Sequence, residues 1–140
     1  MTGDFQTKLN LRIDWADLDL FGHVNNVMFF KYIQAARVNY CDLIGLTSLN
    51  DPEKMSFMVA SSHCNFKRPL LYPGTIKVLT RIAYIKTTSL QLSYQILNDK
   101  NELCAEAEDV LVTFDYKNKT KIAVPADIRD AIRKLDGRSF

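Results

Sequence analysis

The chain has 140 residues, 47% hydrophobic and 24% charged, with a formal net charge of +2. That length suits one domain with a real core, and so small and scattered a positive charge gives no basis for nucleic-acid binding. No apolar run reaches the ~18 residues that span a bilayer, and the opening MTGDFQTKLN has no apolar leader core, so a cytoplasmic protein without membrane contact is expected.

Leu9, Leu11, Ile13 and Trp15 alternate with Asn10, Arg12 and Asp14, the period-two pattern of a half-buried strand. From Val27 the period lengthens. Phe29, Ile33, Ala36, Tyr40 and Leu43 recur at three- and four-residue steps, with Lys31, Gln34 and Asn39 between them. That spacing predicts an amphipathic helix to about Ile44, stopped by Gly45. At ~1.5 Å per residue, its ~18 residues extend roughly 27 Å. A loop over 47–54 follows, then strands over 56–67, Thr75–Ile85, Ser89–Leu97 and 103–116. The turns between them fall at 69–74, rich in proline, and at 98–101, Asn-Asp-Lys-Asn. Residues 116–121 read as a solvated turn and 125–135 as a short surface helix opened by Pro125. A strand, a long helix and four hairpin-linked strands make an α+β fold with an antiparallel sheet around the helix. Nothing is left over for a second domain. Cys41, Cys64 and Cys104 have neither paired spacing nor a histidine set, so they are expected to be plain thiols, with no metal site.

Between the first strand and the helix lies DLDLFGHVNN, residues 17–26. Capping accounts for part of it. Asn25 or Asn26 suits an N-cap, Gly22 suits a tight turn, and acids near a helix start gain ~0.3–1 kcal/mol from the macrodipole. It does not account for a second acid beside His23. A helix start also offers unpaired N–H groups that can hold a developing oxyanion, here from Gly22, His23 or Val24. Asp19, three residues before Gly22, is placed to attack a carbonyl or to deprotonate water. His23, among positive N–H groups, is expected to be largely neutral and to orient by hydrogen bonding. These are the parts for acyl transfer to water.

Asp19-x-x-Gly22, then His23-Val-Asn-Asn26 and the aromatic-rich Phe29-Phe-Lys-Tyr-Ile-Gln-Ala-Ala-Arg37, closely resemble the hotdog-fold acyl-CoA thioesterases of the 4-hydroxybenzoyl-CoA thioesterase type, and the related acyl-ACP thioesterases. The resemblance implies an antiparallel sheet wrapped around a central helix, and a homodimer or homotetramer with active sites at the dimer interface. It implies Asp19 as the catalytic carboxylate, with Gly22 and His23 at the backbone that polarises the thioester carbonyl. Asn26 is the remaining candidate catalytic residue, and Val24 and Asn25 are candidates for substrate contact. The acyl-ACP branch's central Asn is Phe21 here, so its full Asp–Asn–His set is absent. Lys67-Arg68-Pro69 resembles a basic pair that meets coenzyme A phosphates; a solvated strand end is the plain alternative.

Asp17 is expected to cap or to pair with a basic residue, Arg37 to form an ion pair or an interface contact, and His63 to be structural or exposed. Phe29, Phe30 and Tyr32 are expected in the core, with a pocket wall as the alternative. The expected reaction is hydrolysis of an acyl-CoA, with acyl-ACP a lesser substrate, no metal and no cofactor beyond the coenzyme A of the substrate. A hotdog dehydratase acting on hydroxyacyl thioesters and a non-catalytic acyl-thioester binder are the rivals.

Overall fold

The computed structural model describes residues 5–46 and 55–137, so the loop expected over 47–54 lies outside the described residues. In chain order the elements are β1 (Thr7–Arg12), α1 (Asn26–Leu43), β2 (Met55–Phe66), β3 (Thr75–Ile85), β4 (Ser89–Leu97), β5 (Leu103–Asp115), β6 (Thr120–Lys121) and α2 (Ala126–Asp136). The strands form one antiparallel sheet in the order β1-β3-β4-β5-β2, with β6 returning onto β5. α1 packs against β1, β2 and β3, giving the sheet-around-helix arrangement that the resemblance implies.

Alternation builds the inner face. Ile76, Val78 and Ile82 of β3, Leu90, Leu92, Tyr94 and Ile96 of β4, and Ala105, Ala107 and Leu111 of β5 are buried against Phe29, Ile33, Ala36 and Tyr40 of α1. Single extra residues interrupt the register near Ala60 in β2 and Ala83 in β3. Such bulges bend and twist a strand, which helps a sheet curve around a helix.

α1 starts at Asn26, one residue before the expected start, because Asn25 is the N-cap: its side chain accepts the Val27 N–H at 3.1 Å. At the other end the Leu46 N–H donates to the Cys41 carbonyl and the Gly45 N–H to that of Asp42. This Schellman closure requires the left-handed φ of +80° at Gly45. Leu43, expected on the apolar face, is 56% exposed; the stripe runs instead from Tyr40 through Cys41 to Ile44. Leu43 sits about 100° around the helix from Ile44.

Trp15 also departs from expectation. A single 3-10 turn, Trp15–Asp17, ends the alternation after β1 and leaves Trp15 72% exposed. Residues 116–121 are not wholly a solvated turn, since Thr120 and Lys121 pair with Asp115 and Phe114. α2 begins at Ala126 after Pro125 and buries Ile128 and Ile132.

Candidate active site

The segment between β1 and α1 folds as a small hairpin. Leu18 bridges Val24, the Asp19 N–H donates to the His23 carbonyl at 2.7 Å, and Leu20, Phe21 and Gly22 form the tip. Gly22 has φ +79°, a conformation that favours glycine. The Asp19 side chain closes this tip from within. Its Oδ1 accepts the backbone N–H of Phe21 at 2.8 Å and of His23 at 3.1 Å. Oδ2 has no partner among the described residues.

Two anchors hold the hairpin to the rest of the fold. On the far leg, the Val24 N–H donates to the Leu70 carbonyl at 2.9 Å and His23 bridges Leu71. On the near leg, Asp17 is buried; its Oδ1 receives Lys31 Nζ at 3.0 Å, its Oδ2 the Tyr32 hydroxyl at 2.9 Å, and its carbonyl the Asn25 N–H at 2.9 Å. Burial alone would raise the Asp17 pKa, but the Lys31 and Tyr32 hydrogen bonds and the Lys31 charge together hold it below the usual value. Asp17 thus pairs with a basic residue, as expected from sequence.

The helix-start amides are distributed differently from the expectation. Gly22 N–H is turned to the Asp19 carbonyl, His23 N–H to Asp19 Oδ1, and Val24 N–H to Leu70. The hairpin uses the first two internally and its anchor to Leu70 uses the third, so none is open to a ligand in this conformation. Within the first turn of α1, Val27 N–H is taken by the Asn25 side chain and Met28 N–H by its carbonyl. The Asn26 N–H has no acceptor among the described residues. It is the open donor at the positive end of α1.

Asp19, His23, Val24 and Asn26 line a cavity of about 270 Å³ together with Phe29, Phe66, Lys67, Arg68 and Pro69. Phe29 and Phe66 meet edge to face, with centroids 5.1 Å apart. Phe29 and Tyr32 are buried in the core as expected, whereas Phe30, expected there too, is exposed. Lys67 and Arg68 are fixed at the end of β2 by backbone donation of both to the Cys104 carbonyl, at 2.8 and 3.1 Å. The Arg68 guanidinium is 3.6 Å from Glu102. Of the residues singled out from sequence, Gly22 and Asn25 stand outside this cavity; both border a second, more apolar one on the other side of Asp19 with Trp15, Leu18, Leu20 and Phe21. Sequence reading missed Phe66, whose side chain reaches the cavity only because β2 lies beside the start of α1.

Other candidates are elsewhere. His63 is exposed and 3.9 Å from Glu108 on β5, away from Asp19. Arg37 forms a buried ion pair at 2.9 Å with Asp109, which also accepts the Tyr94 hydroxyl at 2.7 Å. Burial pushes the Cys41 thiol up to about 12 and the Cys64 thiol up to about 11, so neither is a ready nucleophile at neutral pH. No three potential metal ligands cluster among the described residues.

Residues 13–132 match the family model described as Thioesterase-like superfamily. Among curated proteins, the chain is 28% identical over 108 residues to the uncharacterized protein YsmA of Bacillus subtilis, covering 77% of this chain and 71% of that one. It is 21% identical over 131 residues to the long-chain acyl-CoA thioesterase FadM of Escherichia coli, covering 93% and 98%. Among solved structures, a Thermus thermophilus thioesterase complexed with coenzyme A and Zn superposes with a TM-score of 0.86 at 28% identity, covering 98% of both chains.

Proposed function

The chain belongs to the thioesterase-like superfamily, and from that premise we propose that it hydrolyses acyl-CoA thioesters to a free acid and coenzyme A. The observation that carries this reading is one cavity lined both by Asp19, whose carboxylate is oriented by two backbone N–H groups, and by Asn26, whose backbone N–H has no acceptor among the described residues. Two N–H groups fix Asp19 Oδ1 and leave Oδ2 for the reacting centre. The thioester carbonyl oxygen is received at Asn26, where charge develops as the carbon becomes tetrahedral. Asp19 then either attacks the carbonyl carbon, forming an anhydride that water cleaves, or removes a proton from the water that attacks. In both routes the C–S bond breaks and the thiolate leaves. His23 borders the same cavity and orients the carbonyl or the leaving sulfur by hydrogen bonding. Lys67 and Arg68 supply positive charge for the coenzyme's phosphates.

The whole chain acts in this reading as a single hotdog domain, working in the cytoplasm as a homodimer or homotetramer, with no metal and no cofactor. Long-chain acyl-CoA is the first substrate to try, by analogy with FadM, and acyl-ACP the second. The test is thiol release across a panel of acyl-CoAs, with Asp19→Asn as the control. Asparagine keeps an oxygen for the Phe21 and His23 N–H groups, so the variant is expected to fold and bind acyl-CoA. Its turnover is expected to fall by at least about 100-fold, the order associated with losing one catalytic group. Turnover within a few-fold of the parent protein would remove Asp19 from the chemistry.

A further inference from the structure

We infer that Asp17 is the positioning residue of this site, acting on the reaction through Asp19. The inference rests on the function proposed above. Asp17 is buried, and its side chain makes no contact with the cavity that Asp19 borders. It holds three groups of α1 and its cap at once: Lys31 Nζ and the Tyr32 hydroxyl on the two carboxylate oxygens, and the Asn25 N–H on its carbonyl. Asp19 follows two residues later, and Asn26 follows Asn25. The carboxylate on one side of the reacting carbonyl and the amide on the other are therefore both tied to Asp17.

The second anchor does not duplicate this one. Val24 N–H to Leu70 and the His23–Leu71 bridge fix the far leg of the hairpin to the segment before β3. They set where the hairpin lies, whereas Asp17 sets its separation from α1. A capping role needs only one hydrogen bond to a backbone N–H. Asp17 instead spends both oxygens on side chains one and a half turns into α1, which stabilises a fixed spacing between loop and helix. Displacing reacting groups by about 1 Å can cost on the order of 100-fold in rate.

The experiment compares kcat and KM for thiol release in the parent protein, Asp17→Asn, Asp19→Asn and the double variant, with thermal unfolding of each. Asp17→Asn cannot accept fully from both Lys31 and Tyr32. It is expected to lower kcat by about 10- to 100-fold with KM changed less than about 3-fold, and to cost clearly less once Asp19 is Asn, where only the Asn26 side of its hold remains. Lys31→Met is expected to reproduce part of the kcat loss. In 1H–15N spectra the Phe21 and His23 amides, both bonded to Asp19 Oδ1, are expected to move in Asp17→Asn. A folded Asp17→Asn with kcat within 3-fold of the parent overturns the inference, as does an equal further loss in the Asp19→Asn background. If the parent protein releases no thiol from any acyl-CoA, the proposed function fails. The amide spectra then still decide the positional claim, and unmoved Phe21 and His23 signals defeat it.

Discussion

Asp17 and Asp19 stand two residues apart and have opposite surroundings. Asp19 borders a cavity and has one oxygen without a partner among the described residues, whereas Asp17 has both oxygens engaged with Lys31 and Tyr32 and is buried. The sign of the Asp17 shift fixes a pH dependence. Its folded pKa lies below the unfolded value of about 3.9, so it contributes stability that is fully present above that value. That contribution is lost as pH falls below about 4 and through the lower folded value. Acid unfolding followed by circular dichroism is expected to show a steeper loss in the parent protein than in Asp17→Asn over this window. Identical acid limbs would mean that the Lys31 and Tyr32 contacts do not persist in solution.

At the scale of elements, α2 is attached by a buried carboxylate. Asp136 near its end accepts the Tyr40 hydroxyl of α1 at 2.9 Å and the Ile82 N–H of β3 at 2.6 Å. Ile82 adjoins the bulge in β3, where the ladder register shifts. One side chain thus ties α2, α1 and β3 together. Asp136→Ala leaves the Ile82 N–H and the Tyr40 hydroxyl buried without this acceptor. Losing a buried charged acceptor costs about 1–3 kcal/mol or more. A drop in urea-unfolding stability of at least about 2 kcal/mol is expected, and a change under 0.5 kcal/mol would mean that water replaces the carboxylate.

For the whole molecule, the main question is what covers β2. It is a 12-residue edge strand, exposed along most of its length, with Met58, Val59 and Phe66 among its exposed apolar residues. Trp15, Leu20 and Phe21 form a second exposed apolar group beside Asp19, at 72%, 100% and 83%. A long unprotected edge invites pairing with another strand, and in the proposed homodimer that strand is β2 of a second copy. Light scattering on the eluting peak is expected to give at least twice the chain mass of 16.0 kDa. Val59→Lys with Ser61→Lys brings like charges to a self-paired seam and is expected to yield monomer with at least 10-fold lower turnover. A parent protein that is monomeric and fully active would place the whole site in one chain.

Much of this molecule is written locally. Helix, strands and the Asp19-to-Asn26 cluster follow from side-chain period, an amide cap and two turn glycines, because those signals act over a few residues of backbone. The tertiary structure alone decided which groups remain available. Val24 N–H is consumed by Leu70, Arg37 is neutralised by Asp109 72 residues away, and Tyr40 meets Asp136 at a separation of 96. Polar groups must be satisfied wherever they are buried, and their partners come from whichever element packs there. For that reason the place of the candidate site is local information, whereas which helix-start amide lacks an acceptor among the described residues, that of Asn26, depends on the fold.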